Sequence, residues 1–249
     1  MLDWAQDRSA IVTGGASGIG RGIALKLAAA GVSVLVADIA EERAAEVATQ
    51  AGGRSASLRV DVSRPEDAER MVGAALDTFG HLDYLVNCAG NAHVGPVVDM
   101  PFEAWRSLLE VHLTGMFLCC RAAIDPLVAS HGRIVSISST YAYKGRPNGA
   151  HYSAAKAGIV AVTKVLAGEL APHVNVNAIA PGPIDTPRWR AGLADAEYAA
   201  RKVRRIQDIP LARMGEPDDI ADAALFLLGP GSRWITGSVL HVNGGELMV

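Results

Sequence analysis

Apolar runs of strand length alternate along the chain with longer segments whose apolar positions recur at helical spacing. The short runs are Ser9 to Val12, Ser33 to Ala37, Ser55 to Val60, Tyr84 to Val86, Arg133 to Ile137, Val174 to Ile179 and Val239 to Val242. Near-continuous apolar strands separated by amphipathic helices predict a parallel sheet covered on both faces, because each crossover lays its helix against the sheet. The expected fold is α/β, a doubly wound (Rossmann) parallel sheet of about seven strands with helices on both faces. A single domain spanning residues 1–249 is expected, since no repeat or low-complexity linker divides the chain. The rhythm breaks between the sixth and seventh strands, where Thr186 to Arg213 forms a long insertion and a candidate lid.

Composition narrows the class of partner. Half of the 249 residues are hydrophobic and a fifth are charged, which suits one large core. A net charge of −3 makes nucleic acid or an anionic membrane an unexpected partner. The first residues, Met-Leu-Asp-Trp-Ala-Gln-Asp, carry acids where a secretory signal carries bases, and no uninterrupted apolar run reaches bilayer-spanning length. A cytoplasmic protein is therefore expected. Cys88 stands alone and Cys119 and Cys120 are adjacent, which is neither a disulfide framework nor a metal-ligand pattern, so they read as reduced core residues.

Small or polar residues follow the strands: Thr13-Gly14, Asp38, Asp61, Asn87, Ser138-Ser139 and Pro181-Gly182. In open parallel sheets the ligand crevice lies beyond the carboxyl ends of the strands, so these positions should converge. The loop Thr13 to Gly20 opens a helix, with Gly14, Gly18 and Gly20 letting backbone approach a pyrophosphate and Ser17 and Ile19 at the helix entrance. Its spacing differs from the general G-x-G-x-x-G fingerprint, and plain turn chemistry also explains such a loop. Asp38 ends the second strand, where an acid accepts hydrogen bonds from ribose hydroxyls and repels a 2′-phosphate, although it also suits a helix N-cap. With no base at Ser17 or Ile39, NAD is favoured over NADP. Asp61 and Val62 could hold the adenine edge, or Asp61 could cap the next helix.

Tyr152 and Lys156 lie four apart, on one face of an expected helix, where an ammonium can lower the pKa of a phenol. Such a phenol exchanges protons with an alcohol or carbonyl oxygen near neutral pH. An aromatic contact beside a surface charge gives the same spacing.

Thr-Gly-x-x-x-Gly-x-Gly at 13 to 20, Asn-Cys-Ala-Gly at 87 to 90, Ser139, Tyr152-x-x-x-Lys156 and Pro181-Gly182 together resemble the short-chain dehydrogenase/reductase family over essentially the whole chain. The resemblance implies that Tyr152 is the general acid/base and that Ser139, rather than Ser138, hydrogen-bonds the substrate oxygen. It gives Lys156 the nicotinamide ribose to bind and the tyrosinate to stabilise. By the same likeness Asn87, Ala89 and Gly90 lie beneath the adenosine ribose and central sheet, with Cys88 in place of a second asparagine. Pro181, Gly182, Ile184 and Thr186 grip the nicotinamide carboxamide. His112 stands where the family most often has an asparagine that holds a water linking the lysine to solvent. Histidine is larger and titratable, so a retained proton relay with altered pH dependence is expected; a helix histidine satisfied by backbone is the simpler alternative.

Asn91, Ala92, His93, Thr140 to Tyr143 and Arg146 to His151 should line the substrate pocket. The insertion adds Arg188, Arg190, Arg201, Lys202, Arg204 and Arg205, of which Arg188 and Arg190 are best placed for an anionic substrate, while a solvated helix face explains most such runs. The leading function is an NAD-dependent oxidoreductase interconverting a secondary alcohol and a ketone. An NADPH-dependent 3-oxoacyl-[acyl-carrier-protein] reductase and a non-catalytic dinucleotide-binding scaffold or sensor are the alternatives. A homodimer or homotetramer, built through the helices near 102–123 and 151–171 and the last strand, follows from the resemblance.

Overall fold

The computed structural model describes residues 5–249, so the reading of the N-terminal acids falls partly outside the described residues. Seven parallel strands form one sheet: β1 (Ser9–Thr13), β2 (Ser33–Asp38), β3 (Ala56–Arg59), β4 (Tyr84–Asn87), β5 (Arg133–Ile137), β6 (Asn175–Pro181) and β7 (Val239–Val242). Their spatial order is β3-β2-β1-β4-β5-β6-β7. The order reverses between β1 and β4, which creates the crevice where such folds bind ligands.

Alternation along each strand supplies both faces. Ala10 and Val12 of β1, with Val34 and Val36 of β2, pack on one side beneath α1 (Gly18–Ala30) and α2 (Glu41–Ala51). Ile11, Leu35 and Leu85 point to the other, beneath α3 (Pro65–Phe79) and the long helices that follow β4 and β5. Local chemistry sets the helix ends: Pro65 occupies the first turn of α3, and Gly80, with φ 86°, ends it in the left-handed conformation.

After β4 the chain runs through α4 (Phe102–Leu109), a π-helical turn at Glu110–Thr114 and α5 (Gly115–Ala129). By length and composition alone the continuous helix Phe102–Ala129 could cross a membrane, but Glu103, Arg106, Glu110, Arg121 and Asp125 interrupt its apolar run. Within the fold, Leu118, Cys119, Cys120, Ala123 and Leu127 are buried in the core.

A short α6 (Tyr141–Lys144) and the long α7 (Ala150–Leu170) follow β5. The insertion between β6 and β7 is largely helical: α8 (Pro187–Arg190) and α9 (Asp195–Ile206) precede α10 (Pro217–Leu228), which packs against α1. β3 is an edge strand shorter than its apolar run suggests, while β1, β2, β4 and β6 extend one or two residues further, into the polar positions that face the cleft.

Candidate active site

A cleft of about 620 Å³ lies beyond the carboxyl ends of β1, β2, β4, β5 and β6. Its floor at one end is the loop after β1. Gly14 has φ +67°, and a Cβ there would lie 2.7 Å from the Ala89 backbone; a Cβ on Gly20 would collide with the Gly14 carbonyl. These two positions force a tight turn that only glycine permits, and the turn presents the N-terminus of α1. Ser17, the N-cap residue, makes no side-chain capping hydrogen bond, so the first-turn N–H groups of α1 face the cleft unshielded by it. Ser17, Gly18 and Ile19 line the cleft, and a Cβ on Gly18 would touch the Thr186 methyl at 3.4 Å.

Asp38 and Ile39 line the same end. The Asp38 carboxylate accepts the Ala16 N–H at 3.0 Å and the Ala40 N–H at 3.0 Å, one on each oxygen, so it is fixed against the glycine loop while retaining lone pairs for a further donor. It is not the N-cap of α2, a position held by Ala40. Arg43, on α2, also reaches this end and pairs with no carboxylate among the described residues. Sequence reading examined positions 17 and 39 for a base and missed Arg43, one helical turn further on.

Val60, Asp61, Val62 and Ser63 complete the wall. Asp61 accepts hydrogen bonds from the Ser63 N–H (3.1 Å) and hydroxyl (2.6 Å), so the carboxylate serves the turn leading into α3. Cys88, Ala89 and Gly90 line the cleft, but Asn87 does not. Of its expected place beneath the ribose and central sheet, the structure gives the sheet: the side chain points inward, donating to Ser136 Oγ at 3.2 Å and Cys120 Sγ at 3.3 Å, and borders a small inner cavity with His112 and Lys156. Thr13 Oγ1 holds the loop after β4 instead, accepting the Cys88 and Ala89 N–H groups. Burial pushes the Cys88 thiol up to about 11, so it stays protonated.

Ser138, Ser139, Tyr152 and Lys156 meet at the opposite end, with Pro181, Gly182, Ile184 and Thr186 forming the adjoining wall. Ser138 donates its hydroxyl to the Lys156 carbonyl at 2.9 Å and so ties α7 to β5. Ser139 Oγ accepts the Tyr141 N–H at 3.1 Å, which leaves its own O–H free to donate. Lys156 is buried, and its Nζ donates to the Ile137 carbonyl at 2.7 Å. Burial lowers the ammonium to about 8.

The lowering of the Tyr152 phenol expected from Lys156 needs correction. Burial dominates and raises the phenol, and the hydrogen bond from Ser139 and the charges of Arg188 and Arg146 only partly offset it. Lys156 Nζ sits 5.6 Å from the Tyr152 ring centre, engaged with the strand below.

His112 occupies the π-helical turn, buried, with its ring edge-on to Tyr152 at 5.6 Å and covering Gly90. Nε2 lies 3.0 Å from the Asn91 carbonyl, an acceptor only, so Nε2 must carry the proton. Nδ1 is then a buried acceptor with no protein partner. Burial, with the charge of Lys156, lowers His112 to about 3. Burial therefore favours a neutral ring near neutral pH, which argues against the expectation that its titration alters the pH dependence. We expect His112→Asn to leave the pH–rate profile unmoved between about pH 6 and 9 while changing kcat; a profile displaced by a full unit would contradict a neutral ring.

The basic residues of the insertion divide. Arg188 lines the cleft and donates to the Gly90 carbonyl. Arg190 is committed elsewhere, lying 3.5 Å from Asp185 and 4.4 Å from the Tyr198 ring centre, so its expected role beside Arg188 does not hold. Lys202 also pairs with Asp185 at 2.8 Å, and Arg205 pairs with the buried Glu246. Ser107 and Glu110 line the cleft without any motif that marks them.

Residues 14–246 match the family model described as enoyl-(acyl carrier protein) reductase. The chain is 36% identical over 247 residues to a 3-oxoacyl-[acyl-carrier-protein] reductase of Synechocystis, covering 96% of each chain. It is 38% identical to the (2S)-[(R)-hydroxy(phenyl)methyl]succinyl-CoA dehydrogenase subunit BbsD of Thauera aromatica, covering 97% of each. A crystal structure of a short-chain dehydrogenase/reductase of glucose/ribitol dehydrogenase type from Brucella melitensis superposes with a TM-score of 0.94 at 33% identity over the whole of both chains. The chain belongs to the short-chain dehydrogenase/reductase family. As a dehydrogenase/reductase it is an oxidoreductase that uses a dinucleotide cofactor, and the cleft fits one. The glycine turn that a Cβ would fill and the open N-terminus of α1 suit a pyrophosphate, and fixed carboxylate lone pairs at Asp38 suit ribose hydroxyls.

Proposed function

We propose that this protein is a cytoplasmic, NAD-dependent dehydrogenase that interconverts a secondary alcohol and a ketone, with Tyr152 as general acid/base. The observation that carries the reading is the convergence of Ser139, Tyr152 and Lys156 at one end of a cleft whose other end holds Asp38. When bound, the nicotinamide supplies the hydride acceptor or donor. Tyr152 takes the alcohol proton, or returns it to the ketone oxygen, at its phenolic oxygen. Ser139, with its oxygen occupied by the Tyr141 N–H, donates its proton to the same substrate oxygen and holds it beside the phenol. Lys156 binds the nicotinamide ribose and offsets the negative charge that appears on Tyr152. The glycine loop with Ser17, Gly18 and Ile19 takes the pyrophosphate, Asp38 the adenosine ribose, and Asp61 and Val62 the adenine edge. Ala89 and Gly90 back the ribose, and the Ile184 backbone and Thr186 hydroxyl hold the carboxamide. His112 acts through a neutral ring, its Nδ1 accepting a proton donor beside Lys156.

A second reading is favoured by Arg43 and by the names of several relatives: an NADPH-dependent 3-oxoacyl-[acyl-carrier-protein] reductase. Arg43 is a free guanidinium at the adenosine end and could pair with a 2′-phosphate, whereas the Asp38 carboxylate opposes one. Opposite charges at one site make the outcome a direct comparison. We expect turnover with NADH to exceed that with NADPH at least about tenfold in kcat/KM, and Asp38→Ser to narrow or reverse that ratio, one half-buried charge repulsion being worth about a factor of ten. Preference for NADPH in the unaltered protein would decide for the second reading.

We also propose that the protein assembles as a homotetramer or homodimer. Phe102 (74% exposed), Phe117 and Val165 lie exposed on α4, α5 and α7, and Met248 and Val249 follow β7. A monomer mass by light scattering at micromolar concentration would refute this. The Thr186–Arg213 segment, through α8 and α9, is proposed as the lid over the substrate.

A further inference from the structure

We propose that Arg146 and Arg188 together form a receptor for a carboxylate carried by the substrate close to its reacting carbon, so that the substrate is an oxo acid and its hydroxy acid counterpart. This rests on the dehydrogenase reading above and names the substrate class for that site.

Arg146 lies between α6 and α7, outside every motif of the sequence. Its guanidinium carbon stands 5.6 Å from the Tyr141 ring centre and 5.8 Å from that of Tyr152, so the cation is held over two aromatic faces next to the reacting phenol. The stem packs over Gly149, where a Cβ would come within 2.8 Å of Arg146 Cδ, and this packing fixes the side chain in place. Arg146 is half-buried, and its guanidinium has no carboxylate partner among the described residues.

Arg188 approaches Tyr152 from the insertion, steadied by the Gly90 carbonyl and likewise lacking a carboxylate. Both charges act on the Tyr152 phenol. Nearby acids are already consumed: Glu246 by Lys144 at 2.7 Å and by Arg205, and Asp185 by Lys202 and Arg190. Two cations without an anion are thus gathered around one reacting oxygen. An arginine fork matches the two oxygens of a carboxylate, and desolvation between aromatic rings strengthens the pair.

Two uses of this charge are separable. If the arginines only tune the phenol, they act on every substrate equally through the pH profile. If they bind an anion, they discriminate by substrate charge.

The test is calorimetric titration of the full chain, alone and saturated with NAD, with acetoacetate and with acetoacetamide, which has the same carbon skeleton and no charge. Ketone and NAD are both oxidised, so no turnover disturbs the equilibrium. We expect acetoacetate to bind at least about tenfold more tightly than the amide, this preference to vanish in Arg146→Gln, and Arg146→Lys to restore part of it. Equal affinity for the two probes, or a preference that survives in either Arg146→Gln or Arg188→Gln, would overturn the proposal. Folding of each variant is checked by its melting curve. Failure of the dehydrogenase reading is distinguishable, because it appears as absent NAD binding or absent NADH formation from an alcohol panel, neither of which the acetoacetate preference requires.

Discussion

Tyr152→Phe lowers kcat by roughly 10²–10⁴-fold, the range that a positioned general acid or base contributes, and leaves dinucleotide affinity unchanged. Phenylalanine keeps the ring that packs edge-on against His112 at 5.6 Å and Tyr141 at 6.3 Å, and it keeps the aromatic face beneath Arg146. The substitution therefore removes one hydroxyl and little packing. Because the loss falls on the step in which a proton moves, kcat and kcat/KM should fall together. Single-turnover NADH formation separates this from a binding defect, and activity within tenfold of the unaltered protein would remove Tyr152 from the chemistry. The pH dependence has a definite sign. Burial raises the phenol, so the protonated form needed for ketone reduction persists through neutral pH, while the phenolate needed for alcohol oxidation grows as pH rises. Oxidation should gain rate toward alkaline pH and reduction should lose it.

Much of the frame that holds Tyr152 is legible in the sequence. Seven apolar runs fall on seven strands, because parallel strands covered on both faces are largely apolar, and the similar runs in α5, α7 and α10 belong to longer segments of helical spacing. The cleft end of each strand is legible too, since Thr13, Asp38 and Pro181 interrupt an apolar run at the point where the sheet stops being covered. Asn87 shows where this fails. It ends β4 like the others, but strand parity turns its side chain inward to Ser136 and Cys120, and a motif carries no record of which side chain of a pair faces the cleft. His112 was visible as an unusual residue; its neutrality was not, because it depends on burial against Gly90 and Tyr152, which are distant in sequence. Arg43 was missed for the same reason, and Arg146 was expected only as one residue of the pocket wall, not as an unpaired cation beside Tyr152. Each belongs to no motif and matters only through what the fold leaves unpaired around it.

Lys156→Met should abolish productive turnover and, at neutral pH, make the fold more stable. Lys156 is 5% exposed, and its Nζ donates to a single carbonyl, that of Ile137, although an ammonium has three protons to place. Burial lowers its pKa from 10.5 to about 8. A drop of that size corresponds to roughly 3 kcal/mol of destabilisation when the lysine is charged in both folded and unfolded chains. The sign follows from proton counts. Below about pH 8 both states hold the proton and the cost is present in full. Between about pH 8 and 10.5 the unfolded chain binds more protons than the folded one, so stability rises with pH, and above 10.5 the cost is gone. Methionine fills similar volume without charge, while stranding the Ile137 carbonyl at a cost of about 1 kcal/mol. The net gain at pH 7 is about 1–2 kcal/mol, or roughly 2–8 °C in Tm for a chain of this length. The difference between variant and parent should shrink as pH passes from 8 toward 10. A variant that melts below its parent at pH 7 would show that Lys156 is satisfied where it lies. A stabler, inactive variant would show that the fold carries a buried cation for the sake of the tyrosine one helical turn away.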